Sequence, residues 1–301
     1  MSIKLKVVIV NWNLKDDTKA CIQSLLQASF SPEQVILVDN GSTDRSAELM
    51  LKEFGELLTI IHNETNLGFA PACNQGIRRA LDEHAEWVLI LNNDTIVAPD
   101  FLDVANKILE RNLRFAILGP LILSASQPDK ILYIGDTLIP GTLITINHYR
   151  GKRYKPEFTE ILPVDFICGC AMFVYKDVFN SIGLLNEELE MYGEEVEFCW
   201  RAKKAGYLIG CITEAKVWHK LSLSAKKVKS KSRYLRIRNQ NRFYKKYALG
   251  IQLPIMFLFS ILRILCLLIS DFTHLEFELL VPTAKGWMDG WQGSSTTRML
   301  T

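Results

Sequence analysis

Carboxylates just past short apolar runs are the side chains in this sequence best placed to do chemistry. Asp39 follows Val35–Val38 and leads into Asn40-Gly41-Ser42-Thr43-Asp44. A carboxylate at a strand end, before a Gly turn and a capped helix, can face the crevice at the carboxyl edge of a sheet. There it could accept the N3–H of a pyrimidine base; the alternative is that Asp39 and Asn40 only stabilise the turn. Asp94 closes Leu91-Asn92-Asn93-Asp94. Such a group suits a hard divalent cation that also takes oxygens from a diphosphate; the alternative is a strand-end turn, because one carboxylate binds a free cation poorly. Glu194 and Glu195 open a run that continues to Arg201. Neighbouring side chains at a helix start point apart, so one could act as general base toward a hydroxyl while the other orients or binds. The competing reading is acidic enrichment of a helix N-terminus by its dipole. His219, in Trp218-His219-Lys220-Leu221-Ser222, could ligate a metal, touch a diphosphate, or be structural.

These groups need elements to hold them, and the apolar pattern supplies an alternation. Apolar runs at Val7–Val10, Val35–Val38, Leu57–Ile61 and Trp87–Leu91 read as buried strands. Helical spacing lies between them: Asp16–Ala28, a stretch capped by Ser42 or Thr43 that runs toward Phe54, and Ala70–Ala80 with Pro71 in its first turn. Pro99–Glu110 is a fourth helix. This βαβα order predicts an α/β fold with a mostly parallel, mixed sheet and helices on both faces. Ligands bind beyond the carboxyl ends of such strands, where Asn11, Asp39 and Asn92–Asp94 fall. From Pro120 to Pro163, Gly and Pro punctuate short strands at Ile131–Ile134 and Leu143–Ile146, which reads as an insertion or rim over an acceptor side. Val164–Val174 is a further apolar stretch, Glu194–Ala205 a helix, and Leu208–Ile212 a last strand.

With 49% hydrophobic and 23% charged residues, the chain is composed to fold a packed core. A net charge of +2 argues against bulk affinity for nucleic acid. The seven cysteines are scattered, without a Cys-x-x-Cys pair, which argues against a disulfide framework or structural zinc and for a reducing cytoplasm. Cys168 and Cys170 read as strand residues rather than ligands. Val7–Val10 is too short for the core of a signal peptide. Charge is uneven, because Lys216 to Gly250 holds many Lys and Arg and no Asp or Glu. Beyond it, Pro254–Ser270 is apolar apart from Ser260 and Arg263. A spanning helix would bury Arg263 at a cost of roughly 2.5–3.5 kcal/mol, which an interfacial or buried helix avoids.

Taken in order, six segments resemble glycosyltransferase family 2, the inverting GT-A enzymes, and more narrowly its bacterial rhamnosyltransferase-like members. They are Val7–Asn13, Val38–Asp44, Asn66–Ala70 with Asn74 and Gly76, Asn92–Asp94, Gly183 with Met191–Arg201, and His219 with Ser222. The resemblance covers residues 5–250 and implies a GT-A, Rossmann-like fold. It implies a donor half at about 1–120 and an acceptor half at about 121–250; the apolar Pro254–Ser270 segment beside the basic stretch is what suggests a helical, partly membrane-associating tail at 251–301. At matched positions the resemblance implies that Asn11 and Asp39 lie at the nucleoside. Asn66, Gly68, Phe69, Asn74 and Asn93 would line the nucleotide site. Asp94 and His219 would hold Mg²⁺ or Mn²⁺. Glu195 would be the catalytic base, with Glu194 beside it on the acceptor side. Three departures stand out. The family's DxD motif is reduced to Asn92-Asn93-Asp94, and the segment after Phe69 carries larger residues than usual. The base is Glu rather than Asp.

The resemblance further implies a dTDP- or UDP-linked sugar donor, rhamnose among the candidates, and a surface-glycan or lipid-linked acceptor. The expected location is cytoplasmic, peripheral on the inner face of the membrane, with the basic stretch meeting anionic lipid. Two other classes compete: a nucleotidyltransferase, and a non-catalytic, membrane-associated nucleotide-sugar binder. The first would carry a Gly-rich phosphate loop after strand one, and none is there. The second would leave Asp39, Asp94 and Glu195 without a task.

Overall fold

A computed structural model describes residues 3–111, 114–155, 161–221 and 229–293. Two compact units form. One comprises residues up to 137 with 147–190 and 194–222; the other comprises 138–146, 191–193 and the chain from 223 on.

The first unit opens with β1 (Leu5–Asn11), α1 (Lys15–Gln27), β2 (Val35–Asn40), α2 (Ser46–Phe54), β3 (Thr59–Asn63), α3 (Phe69–Asp82) and β4 (Trp87–Asn92). β1 pairs in parallel with β2 and β4, and β2 with β3. Val7 and Ile9 of β1 pack with Ile22 of α1, Met50 of α2 and Phe101 on one face. On the other face α3 brings Gly76 against Val8 and Val38. Strands covered on both sides have no solvent face to mark with polar residues, which is why they read as unbroken apolar runs.

The unit continues with β5 (Thr95–Val97), α4 (Phe101–Arg111), β6 (Phe115–Ser124) and β7 (Ile131–Tyr133). β8 (Thr137–Leu138) and β9 (Thr145–Ile146) form a separate two-stranded ribbon, whose residues from 138 to 146 belong to the second unit. Then come β10 (Ile161–Val164), β11 (Ala171–Tyr175), α5 (Lys176–Ile182), α6 (Glu194–Lys204) and β12 (Leu208–His219). The main sheet runs β10-β12-β6-β11-β4-β1-β2-β3, with β5 on β12 and β7 on β6. β11 is antiparallel to both β4 and β6, so the expected parallel order holds from β3 to β4 and becomes mixed beyond. The chain moves outward from β1 to β3 and then returns to the other side of β1. The crevice between β1 and β4 is therefore the switch point where ligands bind in such sheets.

Several boundaries differ from the sequence expectation. Neither Ser42 nor Thr43 caps α2: the residue before it is Arg45, and Asp44 Oδ1 accepts from the Ser46 backbone N–H instead. β3 starts two residues later than expected and reaches Asn63. β6 is a ten-residue strand where a loose rim was expected from Pro120 onward. Pro120 is tolerated because it lies at a register shift between β6 and β12, after β11 has stopped pairing at Leu118. Cys168 and Cys170 lie in the turn before β11, not in a strand.

The second unit contains α7 (Lys229–Tyr247), α8 (Gln252–Thr273) and α9 (Leu280–Gln292). Tyr234 Oη donates to Asp289 Oδ2 at 2.7 Å, and Asn239 Nδ2 donates to the Met191 and Tyr192 carbonyls. α8 is long and apolar enough to cross a membrane by length and composition.

Candidate active site

Asn11 is the hub of the carboxyl edge. Its amide nitrogen donates to Asp39 Oδ1 and to Ser42 Oγ, each at 3.0 Å. Its amide oxygen accepts from Thr18 Oγ1 at 2.7 Å and from Asn93 Nδ2 at 3.0 Å. Asn93 also donates to Thr18 at 2.9 Å. The ends of β1 and β2, the first turns of α1 and the residue after β4 are thus tied across the switch point. Asn11 is fully buried, so its four hydrogen-bonding positions all serve the protein.

Asp39 is 1% exposed, and its second oxygen, Oδ2, accepts from His62 Nδ1 at 3.0 Å. His62 sits directly across from Asp39 in the β2–β3 ladder and its side chain is 60% exposed. The next residue, Asn40, braces the loop over the site. It donates to Asn66 Oδ1 and the Gly68 carbonyl, and accepts from Asn63 and the Leu67 backbone. Asn66 Oδ1 also accepts from the Gly68 backbone, and Phe69 opens α3 directly after. Gly41 has φ +75°, and a Cβ there would sit 2.5 Å from the Thr65 carbonyl carbon, so the turn and this loop can meet only at glycine.

Asp94 is 2% exposed. β12 returns antiparallel to β5 so that its last residue, His219, stands across from Thr95. His219 Nε2 donates to Asp94 Oδ1 at 3.0 Å. Burial alone would lower the imidazole pKa; the hydrogen bond and charge of Asp94 outweigh it and leave the pKa raised. Among the described residues no group of three or more His, Cys, Asp or Glu side chains could hold a metal. Asp94 and His219 are a two-ligand set. Ser222 lies outside the described residues.

Glu195 reaches the same edge from α6. The Cys168-Gly169-Cys170 turn passes so close that a Cβ on Gly169 would lie 3.2 Å from Glu195 Cβ. The turn enters β11, and the Asn92 backbone donates to the Cys170 carbonyl at 2.8 Å. The turn thus meets Glu195 at Gly169 and the end of β4 at Cys170. The Cys170 thiol is held well above the ordinary value by its hydrogen bond to Cys168, by burial, and by the charges of Cys168, Asp94 and Glu195. Glu194 is buried, and its charge adds to the raised pKa of the Cys73 thiol in α3, which is pushed up chiefly by burial.

Asn74 is differently engaged. Its amide donates to the Leu185 carbonyl and Glu187 Oε1, each at 2.9 Å, and accepts from the Leu185 backbone. It pins the turn after α5 and has no bond to the Asn11 net. Sequence reading missed Thr18, His62 and the glycine at 169. His62 was recoverable only by extending β3 two residues and pairing it with β2. Nothing local in the sequence marks Thr18 or Gly169.

A family model for glycosyl transferase family 2 matches residues 6–183. The chain is 30% identical over 215 residues to Agl10, a low-salt glycan biosynthesis hexosyltransferase of Haloferax volcanii, covering 68% of this chain and 64% of that protein. It is 28% identical over 243 residues to an N-acetylglucosaminyl-diphospho-decaprenol L-rhamnosyltransferase of Mycobacterium tuberculosis, covering 73% and 76%. Its fold is similar to that of GalNAc-T7 crystallised with UDP, GalNAc and Mn²⁺, with a TM-score of 0.59 at 16% identity over 82% of this chain and 52% of that one. The chain thus spans just under two thirds of the Haloferax relative and about half of the GalNAc-T7 chain.

Proposed function

The chain belongs to glycosyltransferase family 2 and has the GT-A fold; on that premise we propose that it moves a sugar from a dTDP- or UDP-linked donor to an acceptor hydroxyl, with inversion at the anomeric carbon. Rhamnose, carried by the mycobacterial relative's name, is the leading candidate sugar, and the acceptor is a surface glycan or lipid-linked glycan. The supporting observation is the Asp39–Asn11–Asn93 net beside Asp94, with Glu195 reaching the same strand ends.

In this reading Asp39 accepts the N3–H of the pyrimidine, and Asn11 is a positioning residue that aims it. Asn66, Gly68 and Phe69 border the nucleotide on the loop that Asn40 braces, while Asn74 supports that wall from behind. Asp94 would hold Mg²⁺ or Mn²⁺ through its carboxylate, and His219 could join it through Nε2 only after giving up the proton it donates to Asp94; the remaining ligands would have to come from donor oxygens. When bound, the cation supplies neutralising charge for the leaving diphosphate. Glu195 takes the acceptor proton as the acceptor oxygen bonds to the anomeric carbon and the carbon–oxygen bond to diphosphate breaks, its electrons leaving with the nucleoside diphosphate. Glu194 orients groups on the acceptor side. Residues 1–120 serve the donor, 121–250 the acceptor, and 251–301 form a tail that keeps the enzyme on the inner face of the membrane.

The test is a thermal-shift screen against nucleoside diphosphates and their sugars with and without Mn²⁺, since a ligand of the folded state raises its melting point. Stabilisation by UDP or dTDP compounds, followed by product of inverted configuration by NMR, is the expected result. Donor binding without transfer to any acceptor would favour the binding-protein reading, and pyrophosphate release would favour a nucleotidyltransferase.

A further inference from the structure

α8 is one-sided. Ile255, Leu258, Leu262, Leu265, Ile269 and Phe272 recur every third or fourth residue along its exposed side, and Leu258, Leu262 and Ile269 are 61%, 64% and 64% exposed. Cys266, also exposed, adjoins this face. The only charged residues of α8, Arg263 and Asp271, are not among its exposed ones. The opposite side is buried and tied by polar bonds. Ser260 Oγ accepts from the indole N–H of both Trp287 and Trp291 at 3.0 Å, and Asp271 accepts from Arg233 at 2.9 Å. A groove of about 550 Å³ between α8 and α9, lined by Leu268, Phe272, Leu280, Val281 and Ala284 among others, extends the apolar surface.

A contiguous uncharged apolar face of six large side chains marks an interaction surface rather than a solvated one. A helix pairing with a second copy would show a narrow seam flanked by charged positions; here neither charged residue of α8 is exposed to flank it. A spanning helix would carry α7, with its Lys and Arg, into hydrocarbon, because α7 and α8 belong to one packed unit. An in-plane helix with its apolar side in the acyl region satisfies all three observations. The basic stretch is a weaker handle than its composition implies. Lys229 pairs with Glu276 and Arg233 with Asp271, Arg236 lies over the Tyr192 ring at 4.0 Å, Arg238 is buried, and Lys245 donates to the Trp291 carbonyl.

We propose that the second unit docks on a lipid bilayer by immersing the exposed face of α8 in the plane of the membrane, a hydrophobic attachment that does not require anionic lipid. This rests on reading the chain as a membrane-associated transferase and assigns the attachment to particular residues.

The test uses the full chain and neutral phosphatidylcholine vesicles. Flotation with those vesicles, unchanged by high salt, is expected. A polarity-sensitive maleimide on Cys266 should shift to the blue when they are added, with a Cys266→Ser variant setting the background. The double variant Leu258→Glu, Leu262→Glu should partition about a hundredfold more weakly, the loss expected from withdrawing two leucine side chains from hydrocarbon. It should keep the nucleoside-diphosphate thermal shift, which reads the first unit alone, so loss of vesicle binding and loss of the transferase reading remain separable. Binding only to anionic vesicles with release by salt would overturn the proposal. So would undiminished flotation of the double variant, or a vesicle-indifferent dimer that the double variant dissociates.

Discussion

Asn11→Asp changes one NH₂ group to oxygen and little else in shape, yet it inverts the hydrogen bonding at the hub. The native amide nitrogen donates to Asp39 Oδ1 at 3.0 Å. After substitution two carboxylate oxygens would face each other at that separation, at a site where Asp39 is 1% exposed. Two unit charges about 3 Å apart repel by roughly 5–6 kcal/mol at an effective dielectric constant near 20. The pair can escape by taking one proton. At pH 7, protonating a carboxyl of ordinary pKa near 3.9 costs about 4 kcal/mol, and the smaller number wins. The shared proton restores one hydrogen bond, so the net destabilisation is about 3 kcal/mol at neutral pH, or roughly 6–12 °C in melting temperature. The sign follows from linkage. The folded variant binds a proton the unfolded chain has lost, so its stability rises as pH falls from 8 toward 5. Asn11→Ala, which has no proton to take, should lose stability without that dependence. Melting curves of wild type and both variants at pH 5 and pH 8 check this. A gap between wild type and Asn11→Asp that stayed constant or widened on acidification would refute the placement of Asn11 against Asp39.

Glu195→Gln should keep the donor-induced thermal shift and lower turnover by about 10²–10⁴-fold, the usual worth of a general base; near-normal transfer would remove Glu195 from that role. Gly169→Ala should lower turnover while leaving donor affinity intact, because a Cβ 3.2 Å from Glu195 must displace that side chain, and paired kinetic and calorimetric titrations would show the split. Asp94→Ala should abolish any gain in nucleoside-diphosphate affinity on adding Mn²⁺; calorimetry finding the same gain in the variant would count against metal binding there. In metal-free protein, the raised pKa of His219 makes its bond to Asp94 a stability contribution that is full below about pH 6.5 and lost as pH rises through the folded value. The melting difference between wild type and His219→Gln should therefore shrink from pH 6 to pH 9.

The order of elements was legible because a strand buried on both faces must be apolar throughout and the helices between must show their own period. Val7–Val10, Val35–Val38 and Trp87–Leu91 all lie within β1, β2 and β4. β6 was obscured because Gly119 and Pro120 normally end a strand; Pro120 survives here because the ladder shifts register at that point.

The same division holds for the site. Composition and spacing alone placed Asp39 and Asp94 at strand ends and Glu195 at a helix start, since strand-end carboxylates and acidic first turns are local features. They could not show that Asn11 would be used up inside the protein, that Asn74 would pin the turn at Leu185, or that His62 would stand beside Asp39. Those outcomes depend on which strands become neighbours and in what register, and hydrogen-bonding partners tens of residues apart leave no periodic trace in the chain. The tail divides likewise. Its apolar length is plain in the sequence, but only packing decided that Arg263 and Asp271 would turn away from solvent and leave one uncharged face exposed.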